Sequence, residues 1–172
     1  EEGIIGAIGL GCWNSKILAK LCDTGRFDVA LNAGGINLLD RPMYDLLAAV
    51  AKKHDVGIVV GGVLGQGSFG ELLNKDWDYV QRLINGQDEN LKLRGRKLLE
   101  IYKISEASGI PLIELSIRYV LSLKEIHSHI PGARCEAHIL ENINHARKGH
   151  LSDDTVDAIR NVSKMKNEIG EG

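Results

Sequence analysis

The residues with the clearest capacity for chemistry lie in the last third of the chain. Ile130-Pro131-Gly132-Ala133-Arg134 precedes a segment with helical character that carries His138, Glu141 and Asn142. A helix start presents free N–H groups and the positive end of the peptide dipoles, so an anion can settle there. Arg134 would add a forked, permanently charged donor suited to phosphate. His138, Glu141 and Asn142 are spaced about one turn apart and could share a face. The same residues also read as an ordinary loop-to-helix junction with a solvated arginine. A second candidate is Gly65-Gln66-Gly67-Ser68-Phe69-Gly70, which fits G-x-G-x-x-G. Such glycines bring backbone N–H groups against a pyrophosphate, but the motif needs a second strand ending in a ribose-binding acid about 20 residues on. Val80 to Glu89 is too polar for that strand. A strand-to-helix loop at the open end of a sheet is the better reading.

The remaining reactive side chains suggest plainer roles. His127 and His129 point to one side of a strand, but no Cys or carboxylate stands at a ligand spacing, so no metal is expected. Cys12 beside Trp13 reads as a small packed hydrophobe rather than a reactive thiol. Lys92, Arg94, Arg96 and Lys97 read as the wet face of a helix. The net charge of −2 gives no general attraction to nucleic acid or an anionic membrane. No Ser-His-Asp constellation can be proposed from spacing, and no catalytic residue is assigned.

Behind these residues stands an ordinary globular composition, with 172 residues, 44% apolar and 26% charged. No apolar run approaches the ~20 residues of a membrane span. The start, Glu1-Glu2-Gly3, lacks the basic and apolar regions of a signal peptide. It also lacks Met, which reads as a lost upstream segment. The odd set Cys12, Cys22 and Cys135 fits a reducing, cytoplasmic setting better than a disulfide scaffold.

The elements follow an alternating pattern. Ile4–Leu10, Phe27–Leu31 and Val56–Val60 are nearly continuous apolar runs, as in strands covered on both faces. Ile17, Leu18, Leu21 and Cys22 make one helical stripe between them, and Met43, Leu46, Leu47, Val50 and Ala51 make another. Asp40 suits the cap of the second helix, Pro42 its first turn, and Lys52-Lys53-His54 its negative end. The next strand, Glu125–Ile130, comes after a Gly-rich turn, a polar stretch from Asn74 to Asn90 anchored by Trp77 and Tyr79, and helices over 95–108 and 111–123. Helices over 136–148 and 152–168 close the chain, the last capped by Ser152. Four βα units with the third enlarged argue for a parallel sheet, with residues 1–172 forming a single α/β domain.

The order Ala7-Ile8-Gly9-Leu10-Gly11, Asp28-Val29, Asn37-Leu38-Leu39-Asp40-Arg41, Val56–Gly62 and Ile130–Arg134 with Glu141-Asn142 resembles the aldo-keto reductases, over roughly residues 3–165. It looks closest to their aldose dehydrogenase branch, of the fucose or galactose type. The family fold is a TIM (β/α)8 barrel of about 250 residues, and the resemblance covers strands five to eight. It implies half a barrel of four parallel strands. It also implies an NAD or NADP site: Leu64, Gly65 and Gly67 near the pyrophosphate, Gly132, Ala133 and Arg134 at the adenosine-side phosphate, His138 where Arg or Gln is common, and Glu141 and Asn142 facing adenine. The family's catalytic Tyr, Lys, Asp and His belong to the other half, and none of Tyr44, Tyr79, Tyr102 or Tyr119 matches them. Gly11-Cys12 replaces the usual Ser-Asn, Asn32 the usual Gln, and Gly61 the aromatic beside nicotinamide. An aldehyde or aldose is the substrate implied for a complete enzyme. The isolated chain is expected to be inactive. It is also expected to form a homo-oligomer or to pair with an N-terminal half barrel, covering two open sheet edges.

Overall fold

The computed structural model describes residues 3–33, 36–41, 44–65, 69 and 77–166. Its strands are β1 (Gly9–Cys12), β2 (Val29–Ala33), β3 (Gly57–Gly61) and β4 (Ser128–Ile130). Among the described residues the helices are α1 (Ser15–Cys22), α2 (Tyr44–His54), α3 (Trp77–Ile84), α4 (Glu89–Ser108), α5 (Leu112–Leu121), α6 (Glu136–Arg147) and α7 (Asp153–Lys164). The sheet has four strands in the order β1-β2-β3-β4, and every pairing is parallel. Parallel neighbours need crossover connections, which the helices supply. This is the α/β half-barrel arrangement that the sequence implies.

Side chains alternate across the sheet. Ala30, Asn32, Ile58 and Val60 are buried, and the Asn32 amide donates to the hydroxyl of Ser15 at the start of α1 at 2.8 Å. That face therefore lies under the helices. It joins Leu18 and Cys22 of α1, Leu47 and Ala51 of α2, Leu98 and Ile101 of α4, and Leu115 and Tyr119 of α5 in one core. The opposite face carries Val29, Leu31, Ala33 and Val59 half-buried among Gly9, Gly11, Gly57 and Gly61. One face is packed; the other is open.

Side chains cap the starts of α1, α4 and α7. The Asn14 side chain accepts from the N–H groups of Lys16 and Ile17, and Asp88 does the same for Asn90 and Leu91. Ser152 accepts from the N–H of Thr155, as expected.

Several expectations need correction. β1 begins at Gly9 rather than Ile4: the Ile8 N–H donates to the Asp28 carboxylate at 2.7 Å instead of to a backbone carbonyl, and the ladder with β2 starts at the Gly9–Val29 pair. Ile4 and Ile5 are 79% and 70% exposed. Ile17, Leu21 and Leu46 are exposed too, so only part of each predicted stripe is core. β4 is shorter than Glu125–Ile130, since its register with β3 starts at Ser128. Asp40 pairs with Lys97 at 2.8 Å, and α2 is described from Tyr44. Pro42 and Met43 lie outside the described residues. Lys97 is accordingly not on a wet face. It is 7% exposed and also donates to the carbonyls of Leu39 and Ser163.

The polar stretch before Asn90 contains α3, and α4 starts at Glu89 rather than 95. Gly95 explains how those two helices meet. A Cβ there would lie 2.8 Å from Ile84 Cγ1 and 3.1 Å from the Ile84 backbone nitrogen.

A buried ion cluster joins α5 to α6. Glu114, 4% exposed, receives Arg118 at 2.8 Å and Lys148, with His145 at 3.4 Å. Arg118 also donates to the carbonyls of Gly149 and His150. Burial pushes the Glu114 pKa up, but hydrogen bonds from Lys148 and Arg118 outweigh it and hold the carboxyl below its ordinary 4.5.

Two outcomes are expected. Replacing Gly95 by Ala gains about 0.5–1 kcal/mol of helix propensity but costs about 1–3 kcal/mol of overpacking, so urea unfolding should show a net loss. A gain in midpoint would mean that α3 does not lie against Gly95. Because the folded pKa of Glu114 is depressed, its contribution is complete above pH 4.5 and is lost as pH falls through the folded value. Glu114→Ala should cost roughly 3 kcal/mol at pH 7, by leaving buried partners unpaired, and that deficit should shrink in acid. An equal deficit at pH 7 and pH 3 would show that the charge is not what matters.

Candidate functional site

Two turns leave the same end of the sheet side by side. β3 and β4 are parallel neighbours, with Gly61 opposite Ile130, so Gly62–Gly65 and Pro131–Arg134 both emerge beyond their C-terminal ends. In open parallel sheets that end is where ligands settle, outside the strand termini.

The first turn is built for packing. The N–H of Gly65 bonds to the carbonyl of Gly62 at 3.0 Å. Gly65 has φ +64, and a Cβ on it would come within 2.9 Å of the Phe69 ring, itself 1% exposed. Its glycine is required by backbone shape and by Phe69. Leu64 is partly buried against the core. Ser116 of α5 donates its hydroxyl to the carbonyl of Val63 and fixes the turn from below. Gly67 lies outside the described residues, with Gln66, Ser68 and Gly70.

The second turn is exposed and tied to the helix that follows. Gly132, Ala133 and Arg134 are all solvent-exposed. Cys135 occupies the N-cap of α6 and contributes no side-chain hydrogen bond there. The first-turn amides of α6 are therefore not taken by a capping side chain, and the dipole end faces solvent. The N–H of Arg134 points at the Nδ1 of His138, 3.4 Å away. Asn142 is 8% exposed and donates to the carbonyl of Gly132 at 3.3 Å. It latches the turn onto α6, whereas His138 and Glu141 remain exposed. The three residues do not present one common exposed face. The latch was legible only as an Asn ten residues after a glycine, which no helical spacing singles out.

The nicotinamide-side positions are arranged differently. Asn32 is turned into the helix layer and bonded to Ser15. Gly61 lies on the open face, where a Cβ would meet Ala33 at an ordinary 3.6 Å. Cys12 is only partly buried beside the core. The four tyrosines all belong to helices: Tyr44 to α2, Tyr79 to α3, Tyr102 to α4 and Tyr119 to α5. Tyr44 donates to Glu125, and burial followed by that carboxylate raises its pKa. Such a hydroxyl keeps its proton.

His127 has a structural use, since its Nδ1 accepts the N–H of Ile58 at 3.0 Å. Among the described residues, no group of three His, Cys, Asp or Glu side chains could hold a metal ion. Within the same residues, no helix is long and apolar enough to cross a membrane.

Comparison with known proteins places this arrangement. The D-threo-aldose 1-dehydrogenase of a Pseudomonas species is 22% identical over 158 residues, covering 84% of this chain and 43% of that protein. Among solved structures, the holo form of an aldo-keto reductase from Bacillus halodurans superposes with a TM-score of 0.63 at 15% identity, covering 97% of this chain and 54% of that one. Its apo form gives 0.65 at 16% identity. The chain thus spans about half the length of the relatives it matches. The profile of the aldo/keto reductase family matches residues 1–164, nearly the whole sequence. This chain belongs to the aldo/keto reductase family.

Proposed function

We propose that the chain supplies the dinucleotide-binding half of an NAD(P)-dependent oxidoreductase acting on aldehydes or aldoses. One observation carries the reading: the exposed Gly132–Arg134 turn is latched by Asn142 to a helix whose first amides no side chain caps. The residues present fit the cofactor's adenosine end. Arg134 and the first turn of α6 would hold its phosphate, with His138 beside them and Glu141 toward the base. Leu64, Gly65 and Gly67 would flank the pyrophosphate. The nicotinamide, when bound, supplies a hydride acceptor or donor. Substrate protonation must come from elsewhere, because no tyrosine sits at a strand end. The free cysteines Cys12, Cys22 and Cys135 suit a reducing cytoplasm.

A second, non-catalytic reading rests on the two sides of the sheet. Trp13, Ile17 and Leu21 are exposed beside β1, and Ile130, Ile139, Leu140 and Ile143 are exposed at β4 and α6. Apolar surface of this kind favours a partner by about 25 cal/mol per Å² covered. The occupant would be an N-terminal half barrel or a second copy of this chain.

Three measurements test these readings. Calorimetry should find NADP bound weakly, at high-micromolar to millimolar affinity. Arg134→Ala should weaken NADP by about tenfold and NAD less, because one charge-assisted contact to the extra phosphate is worth roughly 1.5–3 kcal/mol. Equal losses for both would mean that Arg134 does not read that phosphate. The purified chain should show no dinucleotide-dependent turnover of any aldose at 340 nm; turnover abolished by a substitution within this chain would overturn the claim. Sedimentation equilibrium should give masses above the 18.8 kDa monomer, and a monomer at every concentration would refute self-association.

A further inference from the structure

Asn142 sits in the middle of α6, yet its side chain serves the loop in front of that helix. It is the buried residue of α6, 8% exposed, and a buried amide needs a partner. That partner is the carbonyl of Gly132, 3.3 Å from Nδ2. A carbonyl only accepts, so the amide nitrogen must face Gly132, which fixes the orientation of the side chain. A second tie lies one turn earlier on the same helix, where His138 Nδ1 accepts the N–H of Arg134 at 3.4 Å. Residues four apart share a stripe of a helix, so both ties grip the Gly132–Arg134 turn from one side of α6.

The helix that carries these ties is itself anchored at its far end. Glu114 of α5 receives Lys148 and lies 3.4 Å from His145. The turn is therefore hooked to a fixed support, and Asn142 is the hook. Glu141, its neighbour in sequence, is placed otherwise: it is exposed and open to a ligand.

Adjacent residues thus have separate work. Asn142 spends its donor on Gly132 and has little surface left to offer a base. We propose that Asn142 is a positioning residue, which holds the Gly132–Arg134 turn where Arg134 meets a phosphate, and that it does not read the adenine. The inference rests on the dinucleotide reading and assigns, within it, a residue that sets the preference for a 2′-phosphate. Because Asn142 acts through Arg134, the effect of replacing it follows the phosphates of the ligand and ignores the identity of its base. Reading of the base is left to Glu141.

The test is calorimetry of the full chain with NADP, NAD and the hypoxanthine analogue of NADP, in which oxygen replaces the adenine amino group. Asn142→Asp keeps the shape of the side chain and removes its donor. It should weaken NADP about fivefold, the loss of one hydrogen bond. The hypoxanthine analogue should lose the same factor, and NAD less. In an Arg134→Ala background the same substitution should leave the NADP-to-NAD ratio unchanged, as expected of two residues acting as one unit. Asn142→Ala should repeat the pattern, and it replaces Asn142→Asp should the added carboxylate unfold α6. Without ligand, the Arg134 amide should exchange its hydrogen faster in both variants. A loss confined to adenine-bearing ligands overturns the proposal, as does an equal loss for NADP and NAD that persists in Arg134→Ala. An Arg134 amide that exchanges no faster overturns the latch alone. A wild-type chain that binds neither dinucleotide overturns the dinucleotide reading and this role with it.

Discussion

Parallel pairing is the constraint from which the rest of this molecule follows. A strand that runs beside its predecessor in the same direction must be reached by a return trip, and that trip is a helix packed on the sheet. All strand ends of one kind therefore gather at one end of the molecule. Because β3 and β4 are adjacent, residues almost 70 positions apart in the chain, at Gly65 and Gly132, become neighbouring turns. No local interaction could achieve this.

The turns would be of little use if the helices beneath them drifted. Two buried charges prevent that drift. Glu114 holds Arg118 and Lys148, which fixes α6 and the loop after it against α5. Lys97 ties α4 to the loop after β2 and to the end of α7. Each charge is costly to bury and is matched by several partners, so removing any one would leave the others exposed to that cost. The Asn142 latch is the finer adjustment upon this frame, joining turn and helix into one unit.

Much of this was legible in the chain itself. Apolar runs at Phe27–Leu31 and Val56–Val60 and the caps before α7 needed only local rules, as did the stop at Gly109 and Pro111. The family order of motifs carried the half-barrel expectation. What escaped was what depends on distant partners. Lys97 sits in a run of basic residues and looks solvated; nothing local reveals that Asp40 and two carbonyls surround it. α3 was missed because its sequence is polar, and Gly95 makes sense only once α3 lies across it. Gly65 was noticed for its spacing, whereas its left-handed backbone and its close approach to Phe69 were not visible in the chain. Ile4 and Ile5 looked like strand because hydrophobicity was visible and the length of the neighbouring strand was not.

The outer strands are also the shortest: β1 has four residues and β4 has three, against five in each inner strand. Their unpaired amides and carbonyls could template growth by addition of further strands. Fibre-forming segments, however, stack through runs of about six or seven residues. A peptide meeting either border of this sheet finds a shorter ladder than that. The brevity of its margins gives the open sheet a built-in resistance to amyloid-like extension, independent of how firmly its centre is packed.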